Sequence, residues 1–282
     1  MDKFYTKPHT AKECIAFVYD RYKWESWDLV VEPSAGNGGI LHQLPDTNGK
    51  TIGLDISPEH PNIISQDFLT FVPDDNLSKR VLTIGNPPFG RVSSMAIQFF
   101  NHAAKWSTVI AFIVPRTFRR VSVQNKLNTS FHLVFDHEIP VQPCAFEPPM
   151  MAKCCFQIWE KQNTPRIVLI YPSSHPDWTF VKYGPLDEHN QPTPPTKADF
   201  AIRAYGGRCG EIRTTDLDQL RPKSWHWISC NIDKDILLQR FSTLDYSQSV
   251  DTARQNSIGK RDLVHLYQEM IENTLNNELT SM

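Results

Sequence analysis

Two adjacent prolines, Pro87 and Pro88, follow almost directly on the apolar run Val81-Leu82-Thr83-Ile84-Gly85. A short apolar run bounded by breakers reads as a buried β-strand. Prolines lock φ and lack a backbone donor, so the ladder cannot continue through them and the chain leaves the sheet stiffly. The flanking residues, Asn86 and Phe89, are thereby held at the carboxyl edge of that sheet. They are the groups needed to grip a flat heterocycle. An amide oxygen and a nearby carbonyl accept from an exocyclic amine, and the ring stacks on a face.

The strand before this turn is one of several. Residues 10–23 have a helical stripe, with Thr10 as expected N-cap and Glu13 three residues on. Short strands are expected at Asp28–Val31, Thr51–Leu54 and Asn62–Ile64, then at Val109–Val114, His132–Phe135 and Lys153–Trp159. Residues 40–44 resume helically after the first strand, and residues 94–105 are the expected crossover helix after the fourth. Strands alternating with helices predict an α/β fold: a doubly wound, mostly parallel, Rossmann-like sheet. The texture changes near residue 161. A polar, proline-rich stretch at 184–198 reads as a surface loop, between β-like runs at Arg166–Tyr171, Trp178–Tyr183, Asp199–Tyr205 and Trp225–Ser229. Residues 260–278 read as an amphipathic helix. The expected organisation is a catalytic domain over 1–161 and a smaller, β-rich target-recognition or substrate-binding domain over 162–282.

Several function classes are disfavoured. A net charge of −2 over 282 residues argues against coating long nucleic acid by bulk electrostatics. It leaves room for local basic faces, at Arg116, Arg119 and Arg120, and at Arg203, Arg208, Arg213, Arg221 and Lys223. No apolar run approaches the roughly 18 residues of a membrane helix, and the start Met1-Asp2-Lys3-Phe4-Tyr5 is no signal peptide. No membrane association and an intracellular location, cytoplasmic or nuclear, are expected. None of the six cysteines forms a CxxC pair and the histidines are scattered, so reduced thiols and no metal site are expected.

The first strand runs into Glu32-Pro33-Ser34-Ala35-Gly36-Asn37-Gly38-Gly39, a glycine-rich turn over which a ligand can lie close to backbone. The pattern is neither G-x-G-x-x-G nor a phosphate-binding P-loop. Glu32 would repel a pyrophosphate but could bind an ammonium. Asp55, about 20 residues on at the end of the next strand, stands where a ribose diol is held. Asp67-Phe68 could read an adenine, with carboxylate to amine and ring to face. A ligand with an ammonium, a ribose diol and an adenine but no phosphate is S-adenosylmethionine.

These residues resemble a family. Glu32-Pro33-Ser34-Ala35-Gly36-Asn37-Gly38 is similar to motif I of the class I S-adenosylmethionine-dependent methyltransferases. Asn86-Pro87-Pro88-Phe89 is similar to motif IV of those that methylate exocyclic or amide nitrogens, and Phe4-Tyr5-Thr6-Lys7-Pro8 resembles motif X. The likeness covers about residues 4–160 and points to adenine-N6 nucleic-acid methyltransferases, in an order that puts target recognition after catalysis. It implies that Asn86, Pro87, Pro88 and Phe89 are catalytic. It implies cofactor contacts from Tyr5, Thr6, Glu32, Pro33, Ser34, Ala35, Gly36, Gly38, Asp55, Ile56, Asp67, Phe68 and Asn86. Substrate contacts would come from Phe89, Arg116, Arg119, Arg120, Arg203 and Arg208. Nucleic acid is the implied partner, with DNA slightly favoured over RNA on domain order and room for a helper subunit. The messenger-RNA enzymes of this kind carry Asp-Pro-Pro-Trp, whereas other RNA enzymes share Asn-Pro-Pro-Phe, so the tetrapeptide does not choose the polymer. The alternatives are an N5-glutamine protein methyltransferase and a non-catalytic scaffold of the same fold.

Overall fold

The computed structural model describes residues 3–45, 50–74 and 80–280; Met1 and Asp2 of the N-terminal segment lie outside them. The chain divides into two compact units, Met1–Leu169 and Ile170–Met282.

The first unit is built on a seven-stranded sheet. Its strands are β1 (Leu29–Pro33), β2 (Thr51–Asp55), β3 (Ile64–Ser65), β4 (Val81–Gly85), β5 (Val109–Pro115), β6 (Phe131–Ile139) and β7 (Cys154–Lys161). Their spatial order is β3-β2-β1-β4-β5-β7-β6. The first five are mutually parallel, and β7 runs antiparallel between β5 and β6. This is the doubly wound, mostly parallel α/β architecture expected from the sequence.

Every residue of β1, β4 and β5 is buried, as strands covered on both faces must be. Successive side chains serve opposite cores. Val30, Leu82, Ile84, Ala111 and Ile113 pack under helix α1 (Pro8–Tyr19), which contributes Ala11, Cys14, Ile15 and Val18. Val31, Ile110, Phe112 and Val114 pack on the other face, under α2 (Ser94–Ala103) with Ala96, Phe99, Phe100 and Ala103. Phe100 is fully buried, edge-on to Phe131 at 5.7 Å and to Trp159 at 5.4 Å. Phe100→Ala is expected to cost about 3–5 kcal/mol, read as a lower urea midpoint.

Two helical expectations are corrected. The first helix begins at Pro8, whose fixed φ suits the first turn, and Lys7 occupies the N-cap; Thr10 lies inside the helix, 3% exposed. The segment after the glycine turn winds only one 3₁₀ turn, Leu41–Gln43, because Gly38 and Gly39 are poor helix formers and Pro45 follows closely.

The second unit carries an antiparallel sheet of β8 (Trp178–Phe180), β9 (Phe200–Arg203), β10 (Ile212–Arg213) and β11 (Trp225–Cys230), ordered β8-β11-β9-β10. Helices α3 (Lys234–Ser242) and α4 (Lys260–Thr280) pack on it through Leu237, Phe241, Leu263, Val264 and Tyr267. α3 is not among the elements expected from the sequence, although its cap is legible: the Asp233 carboxylate accepts from Asp235 and Ile236 N–H. The β-like run Arg166–Tyr171 forms no strand. Arg166 instead donates to the carbonyls of Gln124, Leu127 and Phe131. That anchor takes the run out of any ladder and leaves Ile167 83% exposed.

Candidate active site

From β1 the chain steps outward to β2 and β3, then returns to β4 on the other side of β1. The carboxyl ends of β1 and β4 therefore flank the switch point, where an open α/β sheet leaves a crevice. Both conspicuous sequence turns sit there. One cleft is lined by Phe4, Tyr5, Thr6, Glu32, Ser34, Ala35, Asn37, Gly39, Ile40 and Asn86. The fold thus brings together six residues expected at the site from distant parts of the chain: Tyr5, Thr6, Glu32, Ser34, Ala35 and Asn86.

The glycine turn takes its shape from Asp55. One carboxylate oxygen of Asp55 accepts from Gly36 N–H and the other from Ser57 N–H, each at 2.8 Å. Gly36 (φ 55°) and Gly38 (φ 83°) adopt left-handed conformations that the turn requires. Tyr5 lies on Gly36, where a Cβ would come within 2.7 Å of its ring. The imidazole of His42, unremarked in the sequence, covers Gly38 in the same way, and the Thr6 carbonyl lies 2.6 Å from where a Gly39 Cβ would stand. The close approach that these glycines allow is thus made by protein groups: the Tyr5 ring, the His42 imidazole and the Thr6 carbonyl.

The segment bearing Tyr5 and Thr6 is a strap tied at several points. Tyr5–Thr6 pairs with Phe146–Glu147 as a two-stranded ribbon, and Lys7 N–H donates to the Ala145 carbonyl at 2.9 Å. Lys3 Nζ (3.0 Å) and the Tyr5 hydroxyl both reach Glu59. These bonds, Tyr5 foremost, hold the Glu59 carboxyl below its usual range. Glu59 escaped sequence reading because nothing marks a surface acid as a latch. Behind the strap lies a broader groove lined by Lys7, Gly38, His42, Gln43, Glu147 and Pro148. Tyr5, Thr6, Asn37 and Gly39 line both spaces, so the strap divides one from the other. Gly39→Ala is expected to push it off the turn at about 1–3 kcal/mol, seen as faster proteolysis of the N-terminus.

Two polar groups in the cleft face the ligand question directly. Glu32 is 2% exposed, and among the described residues neither its Oε2 nor the buried Thr6 hydroxyl has a hydrogen-bond partner. Burial pushes the Glu32 carboxyl well above the usual carboxylate range, against the Leu41 N–H that favours ionisation, and nearby Asp55 pushes the same way as burial. Asn86 is half-buried and its Nδ2 donates to the Phe4 carbonyl at 3.2 Å. With the amide nitrogen so engaged, Oδ1 is presented as an acceptor, and no described residue donates to it. Phe4 acts through its backbone, which no residue-type signal could disclose.

Pro87 is buried, Pro88 and Phe89 half-buried, and Phe89 packs against the α1-side core. Pro33 closes β1 as its last residue. Ile56 is 70% exposed at the end of β2. Other expected contacts are not placed for the role given them. Phe68 is 2% exposed and packs on Phe99, His102 and Trp106, so its ring belongs to the core and has no free face. Asp67 caps the following 3₁₀ turn through Leu69 N–H. Arg116, 7% exposed, pairs with Glu138, and Arg119 forks onto Asp136 with Nε at 3.0 and 3.1 Å. β6 presents those acids toward the arginines, which therefore serve as struts to the sheet edge and not as open phosphate contacts. Arg120 is half-buried at the N-cap of the next helical turn.

In the second unit Glu211 is shared by Arg203 (3.2 Å), Arg208 (3.5 Å) and Arg213 (3.3 Å). One carboxylate among three guanidiniums leaves that hairpin basic. Trp225 and Trp227 are core residues, 5% and 1% exposed, so they offer no free stacking face, whereas Tyr205 is 47% exposed.

No family model matches the chain, and no curated protein matches its sequence. Among solved structures, the 23S rRNA methyltransferase ErmE is similar at a TM-score of 0.41 and 17% identity, over 58% of this chain and 71% of that one. A putative RNA methyltransferase from Pyrococcus horikoshii is similar at 0.41 and 19% identity, over 57% and 87% of the two chains.

Proposed function

We propose that this protein is an S-adenosylmethionine-dependent methyltransferase acting on the exocyclic N6 of adenine in nucleic acid. One observation carries the reading. One switch-point cleft holds both a buried Glu32 carboxyl, whose Oε2 has no hydrogen-bond partner among the described residues, and an Asn86 amide whose nitrogen is already engaged. The first suits an ammonium, and the second suits the amine of a base.

The residues present fit the cofactor. Glu32 and the Thr6 hydroxyl would meet the polar methionine end, Tyr5 would cover it, and the Asp55–Ile56 step would take the nucleoside. Bound there, the cofactor would supply an electrophilic methyl group on a sulfonium. The adenine amine is a poor nucleophile because its lone pair is delocalised into the ring. Hydrogen bonds from N6 to Asn86 Oδ1 and the Pro87 carbonyl would localise that lone pair and aim it, which is catalysis by positioning and electrostatics. Phe89 would stack on the base, worth about 1–3 kcal/mol. In such a transfer the N6–C bond would form as the S–C bond broke, leaving a neutral thioether, and the N6 proton would pass to solvent.

The order strap, glycine turn, tetrapeptide and second unit leans the reading toward DNA by analogy of organisation. The basic hairpin around Glu211, with Arg203 and Arg208, is the proposed substrate contact of the second unit. Incubation with radiolabelled cofactor and pools of DNA, RNA and protein, followed by nucleoside mass spectrometry, tests the reading. N6-methyladenine in one polymer is expected; label confined to protein would overturn it in favour of amide methylation.

A further inference from the structure

Immediately beyond Phe89 the backbone does something that a plain strand-to-helix connection does not need. Gly90 (φ 68°), Val92 (φ 53°) and Ser93 (φ 61°) all have positive φ. For a β-branched residue such as Val92 this is a true conformational outlier, because its Cβ substituents crowd the backbone. The side chain gains nothing in return from packing, since Val92 is 74% exposed, with Arg91 exposed beside it. An apolar, strained and solvent-facing residue contradicts both local propensity and burial.

The surroundings impose this conformation. Gly90 lies so close to Met95 that a Cβ would come within 2.7 Å of its Cγ. The Phe89 carbonyl accepts from Met95 N–H (3.2 Å) and Ala96 N–H (3.4 Å), which ties the turn to the first turn of α2. Ser93 is 4% exposed, and its hydroxyl bonds that of Thr117 at 2.8 Å, bolting the turn to the segment after β5. Strain that the neighbours over-determine gathers where a side chain must be aimed.

We propose that Val92 is a wedge, with Arg91 as its phosphate contact, that enters the nucleic-acid stack next to the target adenine as the base turns toward Asn86. This rests on the methyltransferase reading above and adds the residues that hold the strand open. Only the combination of an apolar tip, an adjacent guanidinium and a rigid mount three residues past the stacking Phe89 meets that need. Apolar side chains pushed between bases unstack them, and an arginine beside the wedge holds the backbone at that point. Unstacking is the cost of presenting a base to a pocket at the sheet edge.

The test uses the full chain and a single-stranded oligoadenylate carrying one 2-aminopurine, whose fluorescence rises when it leaves the stack, in DNA and RNA forms. Val92→Asn replaces the wedge by a polar residue that tolerates left-handed backbone, and Val92→Leu keeps an apolar tip. Asn at this position is expected to raise the melting temperature, yet bind the oligonucleotide about tenfold more weakly and lose most of the fluorescence rise. Leu should retain both signals, and Arg91→Gln should weaken binding and flatten its salt dependence. A merely structural turn predicts the same gain in stability for Val92→Asn but unchanged binding and fluorescence, and that result would overturn the wedge. If wild-type protein methylates nucleic acid while Val92→Asn flips the base normally, the wedge alone fails. If wild-type protein methylates no nucleic acid at all, the wedge falls together with the reading it rests on.

Discussion

Asn86→Ala is expected to lower the methyl-transfer rate by about 10²–10³-fold, the usual cost of removing one preorganised hydrogen-bonding group at a reacting centre. Two consequences of the same deletion can be separated. Loss of Oδ1 removes the acceptor for the adenine amine, and this falls on the rate. Loss of Nδ2 releases the Phe4 carbonyl and loosens the strap over the glycine turn. A net hydrogen bond of this kind is worth about 0.5–1.5 kcal/mol, so cofactor affinity should fall by roughly tenfold at most. Asn86→Asp keeps acceptors but cannot donate to Phe4. It should retain more activity than alanine while showing the same looser strap. Single-turnover rates with cofactor titrations distinguish the two effects, and an alanine variant within a few-fold of wild type would sink the role given to Asn86.

Glu32→Gln is expected to move stability and cofactor binding in opposite directions. In the folded chain burial raises the Glu32 carboxyl well above its usual range, whereas in the unfolded chain it titrates near about 4.3. Between those two values the folded state binds the extra proton. Stability therefore falls as pH rises from the unfolded value toward the folded one, then levels off. Glutamine removes that slope, so the variant's advantage in melting temperature should open above about pH 4 and grow with pH. An ammonium docking beside Glu32 would favour the ionised form. Wild-type protein should release a proton on binding cofactor, and bind it more tightly as pH rises toward the shifted value. The variant should do neither, losing about 1.5–3 kcal/mol of affinity, the worth of a charge-assisted hydrogen bond. Calorimetry in two buffers of different ionisation enthalpy reads the proton directly. Equal proton release by both proteins would remove Glu32 from the cofactor's environment.

The parts of the fold that were legible share one property: their information lies within a few consecutive residues. β4 and its proline stop lie at the bounds the sequence predicts, because apolar β-branched runs and breakers act locally. β5 and β7 came within a residue or two for the same reason. The helix expected after β1 is only one turn long, since the apolar residues Ile40, Leu41 and Leu44 mimic a stripe while glycine and proline limit it. Asp233 caps α3 of the second unit where the sequence shows no strong apolar stripe, and the β-like run Arg166–Tyr171 forms no strand because Arg166 is anchored on the carbonyls of Gln124, Leu127 and Phe131.

Side-chain destinations were less legible. Phe68 and Trp227 carry the same aromatic signal as Phe89, yet pack into cores, while Phe89 sits half-buried at the sheet edge. Arg116 and Arg119 are basic residues at the right edge, but acids from a strand about 20 residues later neutralise them. By itself, then, the sequence determined the order of strands along the chain, the stiff exit at Asn86 and the glycine turn behind Glu32. Tertiary structure alone decided that Phe4, 82 residues away, orients Asn86, that Glu59, 54 residues from Tyr5, latches the strap, and that one buried oxygen of Glu32 is left without a partner among the described residues. Local propensity acts over a few bonds, whereas burial and hydrogen bonding depend on which distant segments the sheet brings to one edge.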